Sequence, residues 1–541
     1  MTNQELENQI ENASQLENQI ELDSQEIEED PRLDKPITTS FLLKFTIPTI
    51  ISFTVMSIFG AIDGIFAARG ISEEALSSVN FVMPFFTFSM AIAAMLSMGG
   101  CALVAKTKGQ KQFVKARQIF TLLTITVFLI SATFAIFGWI FRDGILRLLG
   151  TDEWVFAMAR DYIQPLILMM PFIMVGMFLI QFLIAEGRPV VGMIASISGA
   201  FLSTALNALF IFGFNMGVEG LALATGIGYA VPALLGVVYF TFFRDGTIYF
   251  VKPTFDVRAL GRSAKNGLSE MVTMMAATVI TLVMNRTLVD LLGWQGVAAA
   301  GIVMAINGMF MSLYVGYSTG IAPVVSYNYG KKHKYKRKIV SGEIDDLELI
   351  AAKREAKGER HENLQKLFKK SLGIITVLAG IAVVGVLIFA PLLVQIYVDP
   401  GYLIAGLPGG RHYIGYYGGY YFGYVDNVNL HSVAVRGLRI AAIGYLFMGF
   451  NVFGTQWFTA FNDGLVSGFM SFMQTFVFTL VLLLTLPRIW DITGAWIALP
   501  GAEILTVFVT VFFFIKMGKK YGYLGRVENQ PQKSEQGYSQ Q

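Results

Sequence analysis

Three carboxylates sit where a carboxylate is costly. Asp63 lies mid-way along an apolar stretch in Ile62-Asp63-Gly64, Glu270 opens another such stretch, and Glu503 lies within the last one. A charged side chain in hydrocarbon is expensive, so it turns toward the protein interior or toward water. A buried carboxylate without a fixed counter-ion resists ionisation. It can hold a proton or Na+ in one state and meet a cationic compound in another, which is the chemistry of exchange across a membrane. Arg286 and Asp290 are four residues apart, and an ion pair along one helix face accounts for them without further chemistry. His333, His361, His412 and His431 all fall between apolar stretches, which argues against a histidine proton relay.

Catalytic patterns are weak by comparison. Gly316-Tyr317-Ser318-Thr319-Gly320 fits G-x-S-x-G, but that motif works on a strand-to-helix turn and here it lies in an apolar helix. Two glycines four apart are better read as letting a second helix approach. No G-x-x-x-x-G-K-[ST] loop is present, which argues against ATP as the direct drive. The single cysteine, Cys101, allows no internal disulfide and is read as a small packed residue. The chain is not expected to be an enzyme, and no cofactor or bound metal is expected beyond a coupling ion, Na+ or H+, with Na+ at Asp63.

The elements that carry these groups follow from composition. Of 541 residues, 54% are apolar and 15% charged, with a mean hydropathy of +0.57. A soluble protein carries about a quarter charged residues. Here charge is confined to short stretches between apolar runs long enough to cross about 30 Å of hydrocarbon as helices. Twelve spans are expected, at about 41–68, 79–105, 118–141, 161–186, 189–214, 217–243, 266–292, 297–326, 369–397, 436–461, 465–487 and 492–518. The first has no basic leader and no small-residue cleavage site after it, so it reads as a retained helix.

Charge sets the expected orientation. Residues 1–30 hold ten acids and no Lys or Arg, leaving 41 bases against 28 acids in the remainder. Those bases flank the apolar runs, which points to a membrane surface and not to nucleic acid. They gather in alternate connections: Lys106 to Arg117, Arg244 to Lys265, Lys331 to Lys338, and Lys516 to Lys520. The bias toward bases on the inner side places both termini in the cytoplasm, in a multi-pass protein of the cell membrane.

The expected organisation is an acidic, disordered tail over 1–38, a six-helix lobe over 39–245, a cytoplasmic linker over 246–265, a second six-helix lobe over 266–520, and a tail over 521–541. The tail repeats Leu6-Glu7-Asn8-Gln9-Ile10-Glu11 as Leu16-Glu17-Asn18-Gln19-Ile20-Glu21. The second lobe carries a charged helical insert at 341–366, on the cytoplasmic side, and a Gly/Tyr-rich outer loop at 401–431.

The two lobes are copies. Ser97-Met98-Gly99 and Gly109-Gln110-Lys111 match Ser318-Thr319-Gly320 and Gly330-Lys331-Lys332 at an offset of 221. Later the offset grows to about 274, placing Gln181 opposite Gln456 and Gly220-Leu221-Ala222 opposite Gly494-Ala495-Trp496. The two insertions account for the difference. Six spans per copy, an even number, make the repeats parallel. The fold class is therefore all-α and polytopic, twelve helices in two parallel-related lobes with a cavity between them.

Several of these stretches resemble one family. Gly316 to Lys331, Ile47-Pro48-Thr49 followed by Ile62-Asp63-Gly64-Ile65-Phe66, Glu186-Gly187-Arg188-Pro189, and Leu209-Phe210-Ile211-Phe212-Gly213 look like signatures of the multidrug and toxic-compound extrusion (MATE) family. The resemblance covers about residues 38–520 and leaves out the acidic tail and both insertions. It implies export of small organic, cationic or amphipathic compounds in exchange for Na+ or H+, by a monomer in the lipid bilayer that alternates access between its lobes. Asp63 then aligns with a first-helix aspartate implicated in cation coupling, and Glu270 falls near a seventh-helix glutamate used in one branch. Another branch places an Asn and an Asp on the fifth helix, where this chain has Ser203 and Asn207. A flippase for a lipid-linked precursor, from the same wider superfamily, is the alternative. It would want a basic central cavity, and no Arg or Lys lies mid-span in the first half.

Overall fold

The computed structural model describes residues 32–149, 151, 153–243, 246–292, 294–331, 346–396 and 430–524. The repeat in the acidic tail, the bases from 332 to 338, the Gly/Tyr-rich stretch 401–429 and the chain beyond 524 lie outside the described residues.

Twelve helices among the described residues are long and apolar enough to cross a membrane. They are α1 (Thr39–Ile65), α2 (Glu73–Gly109), α3 (Phe113–Leu148), α4 (Glu153–Ala185), α5 (Pro189–Ala208) and α6 (Gly217–Phe242) in the first half. The second half has α7 (Leu268–Leu292), α8 (Trp294–Gly330), α9 (Asp346–Gln395), α10 (Leu430–Ala460), α11 (Gly464–Thr485) and α12 (Pro487–Tyr521). Their ends follow local chemistry. The Thr38 hydroxyl accepts the Phe41 amide at the start of α1, and the Ser72 hydroxyl accepts that of Ala75 at the start of α2. Proline occupies the first position of α5 and α12, where its missing N–H costs nothing. Gly522 ends α12 with a φ of +81°, a left-handed geometry that L side chains resist. Residues 346–366 of the charged insert are the first turns of α9, a single helix that then enters the apolar span.

The repeat read from the sequence is a repeat of packing. In the first half α4 packs on α2, α3 and α6, while α5 packs on α1 and α6. In the second half α10 packs on α8, α9 and α12, while α11 packs on α7 and α12. Each of these contacts is its counterpart's copy, so the chain forms two six-helix lobes. The outer helices α3 and α9 turn Phe128, Leu129, Ile136 and Ile140, and Val377, Ile381, Val384 and Ile388, outward to the surface. Such apolar faces are suited to lipid.

The lobes meet through α1 with α8, α2 with α7, and α2 with α8. One close meeting lies at the base-rich ends. A Cβ on Gly109 would stand 2.1 Å from the Tyr327 carbonyl oxygen, and one on Gly330 2.1 Å from that of Lys106. Only a residue without a side chain permits this approach. Further along, Gly316 packs on the Ile50 backbone and Gly320 on Thr49, so the G-x-S-x-G stretch is a helix crossing, as its spacing suggested. The segment before α1 ties the lobes together at the same end. Arg32 pairs with Glu186 of the first lobe at 3.1 Å, Asp34 pairs with Lys331 of the second, and Leu33 and Ile37 are buried among side chains of α8, α10 and α12. Toward the opposite end, Cβ atoms on Gly60, Gly64 or Gly308 would meet nothing within 4 Å.

Replacing Gly330 with Val is expected to force α2 and α8 apart at this contact, at a cost of about 1–3 kcal/mol for overpacking. A lower unfolding midpoint of the detergent-solubilised variant is the expected reading, and an unchanged midpoint would show that these ends separate cheaply.

Candidate functional site

The three carboxylates occupy three separate places. Asp63 is not mid-way along α1. It lies two residues from the end of that helix, about 36 Å along it from the base-rich end. The sequence expectation ran the span on to residue 68, but the helix widens into a π-helical turn at Phe66–Ile71 and gives way to α2. Asn207, at the corresponding end of α5, donates its Nδ2 to Asp63 Oδ1 at 2.7 Å. It too is followed by a π-helical turn, Leu209–Gly213. Such turns are frequent at functional sites because they re-aim the side chains beside them.

Asp63 is half-buried and Asn207 fully buried. The Asn207 Oδ1 is buried without a hydrogen-bond partner, and among the described residues Asp63 has no ion-pair partner. Tyr162 on α4 is buried in the apolar cluster that also holds Ala67, four residues beyond Asp63, and Tyr229 on α6 packs against that cluster. A carboxylate oxygen beside an orphaned amide oxygen favours a small cation or a proton. Ser203 is buried one turn before Asn207, facing α6 at Gly228, and Gln181 is buried on α4. Neither has a hydrogen bond to Asp63 among those described, so this site joins Asp63 and Asn207 and leaves these two beside it.

Glu270 lies at the other end of the molecule. It is in the first turn of α7, entered from a short linker helix, Val257–Asn266, whose Asp256 side chain caps it. Gln456 of α10 donates to Glu270 Oε1, while the Gln456 Oε1 is buried without a partner. Asn266 donates to the Thr459 carbonyl at 2.9 Å, and its own Oδ1 is likewise unpartnered. The repeat pairs Glu270 with Thr49 and Gln456 with Gln181, so the first lobe has a hydroxyl where the second has this carboxylate.

Glu503 sits near the middle of α12. Asn451 of α10 donates to its Oε2 at 2.7 Å, and Gln474 of α11 donates to its two oxygens at 3.0 and 3.2 Å. Gln474 is placed by the π-helical turn Met473–Thr479 within α11. Thr510 in turn holds the Asn451 Oδ1 at 2.8 Å.

Sequence reasoning missed Asn451, Gln474, Tyr162 and Tyr229. The first two were visible as amides inside apolar runs. The tyrosines carried no signal, since a ring is at home in a core. It also passed over the chemistry of Glu186. That carboxylate is fully buried and receives Lys108, also fully buried, at 3.1 Å, Arg32 at 3.1 Å and the Thr247 hydroxyl at 2.9 Å. Arg286 and Asp290 pair at 3.6 Å on an exposed face, as their spacing suggested. No group of His, Cys, Asp and Glu suited to a metal ion occurs among the described residues.

Comparison with known proteins agrees with this architecture. The MatE family model matches residues 48–209 and 270–341. Multidrug export protein MepA of Staphylococcus haemolyticus is 24% identical over 289 residues, covering 53% of this chain and 64% of that protein. The protein of the same name from Staphylococcus saprophyticus is 25% identical over 315 residues, covering 58% and 69%. The chain thus spans just under two thirds of the first of these relatives. Among solved structures, a MATE protein in complex with MaL6 superposes with a TM-score of 0.77 at 17% identity, covering 92% of this chain and 99% of that one. An outward-facing multidrug resistance MATE family transporter of the MOP superfamily gives 0.74 at 18% identity, covering 89% and 96%. Two lobes of six helices and these matches agree: in sequence and in fold the chain is similar to the MATE family.

Proposed function

We propose that this protein is a secondary antiporter of the cell membrane that exports small organic compounds, cationic or amphipathic, in exchange for Na+ or H+. The observation that carries the reading is the Asp63 carboxylate, which has no ion-pair partner among the described residues and lies beside an orphaned amide oxygen of Asn207. A cation or proton bound there answers an otherwise uncompensated charge. Close glycine contacts hold the lobes together at the base-rich end, while Cβ atoms on Gly60, Gly64 or Gly308 would meet nothing within 4 Å, an arrangement in keeping with one state of an alternating-access cycle. The base-rich end is read as cytoplasmic, with both termini on that side, and the unit as a monomer. The relatives in Staphylococcus are multidrug export proteins, which favours export over lipid flipping.

Chemically, the cycle needs one group that two ligands use in turn. Occupation of Asp63 by the coupling ion would neutralise it and favour one arrangement of the lobes; release would restore the charge. Glu270, near the opposite end and bonded to Gln456, is read as a second contributor to ion dependence. The test is efflux of ethidium from inverted or right-side-out vesicles under imposed Na+ or pH gradients. Wild type should export under one gradient, and Glu270→Gln should keep export but alter its Na+ or pH profile by severalfold. Unchanged profiles would remove Glu270 from the mechanism. Absence of gradient-driven efflux in wild type would turn the reading toward the flippase, with lipid-linked substrates assayed next.

A further inference from the structure

Under the internal repeat, Glu503 occupies the position of Tyr229, while Asp63 itself corresponds to Met284. Each lobe therefore places a carboxylate in the seam among its own helices, but on a different helix and at a different depth. Asp63 lies toward the far end of α1. Past the break in α12 at Trp490 and Asp491, Glu503 is about 18 Å along a helix that runs about 45 Å to Tyr521, close to the middle of the membrane. Substrate sites of transporters built from repeats lie near that midplane.

Three features make Glu503 more than a packed polar residue. It is half-buried, and among the described residues it has no ion-pair partner. Its side-chain hydrogen bonds all come from amide N–H groups, Asn451 on α10 and Gln474 on α11, which carry no charge to neutralise it. Thr510 and the π-helical turn at Met473–Thr479 orient those two amides, so the carboxylate is held by three helices. A Cβ on Gly444 of α10 would stand 3.6 Å from the Glu503 Cγ; the next residue, Tyr445, stacks on Phe310 of α8 at 5.2 Å, and its carbonyl accepts the Tyr314 hydroxyl at 3.0 Å. The helix α8 is also the one that packs against both α1 and α2 of the other lobe. A fixed anion at mid-depth, on a helix that packs on α7, which in turn packs on α2 of the other lobe, matches an organic cation better than a small metal ion. A metal ion would ask for several free oxygens, whereas here the Asn451 oxygen is already engaged by Thr510.

We infer that Glu503, positioned by Asn451 and Gln474, is the recognition point in the second lobe for the positive charge of the exported compound, separate from the coupling site at Asp63. This deepens the export reading and rests on it.

The test is equilibrium binding of tetraphenylphosphonium, with neutral triphenylphosphine oxide as the shape control, to the full-length protein in detergent. Glu503→Gln is expected to raise the tetraphenylphosphonium Kd at least about tenfold, a modest demand on a pairing in a medium of reduced dielectric. The Kd of the neutral probe should stay within about twofold, and Glu503→Asp should retain most of the cation affinity. On the unaltered protein, tetraphenylphosphonium should slow carbodiimide labelling of Glu503, read by mass spectrometry; this arm stands even where the Gln variant fails to fold. Equal losses for both probes, an unchanged cation Kd, or labelling without protection would each overturn the assignment. Loss of Na+ or proton binding in Glu503→Gln with cation binding intact would make it a coupling residue and overturn it as well. Wild type that binds neither tetraphenylphosphonium nor ethidium would instead remove the export reading itself, and Glu503's role with it.

Discussion

Asp63→Asn is expected to abolish gradient-driven export while the protein is still made and inserted. One charge crossing 100 mV supplies about 2.3 kcal/mol, enough to hold about a fiftyfold concentration ratio of a substrate. If Asp63 is where the driving ion binds, its loss should collapse that ratio to unity, not merely slow the approach to it. The amide is nearly isosteric, and Asn207 Nδ2, which now donates to Asp63 Oδ1 at 2.7 Å, can still donate to an amide oxygen. The change therefore removes charge and leaves shape, so folding should be spared. Ethidium efflux under Na+ and pH gradients, with expression followed by immunoblot, separates these outcomes. Normal export by a well-expressed Asp63→Asn would make the aspartate structural and move the coupling site elsewhere. Replacing Asn207 with Leu should act in the same direction but less completely, because it removes a donor and an oxygen and leaves the charge.

The second large effect is on stability. Lys108 and Glu186 are both fully buried and 3.1 Å apart, joining the end of α2 to the end of α4. Removing one partner of a buried ion pair strands the other, at a cost of about 3–5 kcal/mol. Lys108→Met should accordingly lower the unfolding midpoint of the solubilised protein more than any surface lysine substitution. Arg32 and Thr247 remain as partners of Glu186, so the loss should fall toward the lower end of that range. Adding Glu186→Gln to Lys108→Met should recover part of it, since the stranded charge is then gone. A midpoint equal to wild type in Lys108→Met would show that Arg32 alone compensates Glu186. The same centre bears on movement. Arg32 belongs to the segment whose next ionisable residue, Asp34, pairs with Lys331 across the lobe boundary. Opening of the base-rich end must separate that pair or carry the segment along.

Much of the fold was legible before any coordinates. Twelve apolar runs, bases in alternate connections and a repeat at offsets of 221 and about 274 specify two parallel six-helix lobes, because a lipid-exposed backbone has no alternative to the helix. Gly316 and Gly320 announced a close helix crossing for a similar reason: a missing side chain costs helix propensity and is useful where something must come near. Candidate chemistry was legible as a set of residue types. Asp63, Glu270 and Glu503 stood out because ionisable groups are rare in apolar runs, and each meets an amide in the structure.

How those groups are distributed was decided by tertiary structure alone. Sequence spacing locates a residue along its own helix to within several positions, which is too coarse to tell Asp63 at the end of α1 from Asp63 at its middle. Nor does spacing say which helix faces which. Asn207 meets Asp63 across 144 residues, and Gln456 meets Glu270 across 186, through packing of α5 on α1 and of α10 beside α7. Three widened helical turns, at Phe66–Ile71, Leu209–Gly213 and Met473–Thr479, set the final aim of Asp63, Asn207 and Gln474. Such single widened turns recur at functional sites. By itself, then, the sequence determined a two-lobed helical membrane protein with three carboxylates in costly places, because hydrophobicity and charge are local properties. That those carboxylates form three sites at three depths, and that the lobes close at the base-rich end, was decided by helix packing, because contacts between residues far apart in the chain depend on the shape of every side chain between them.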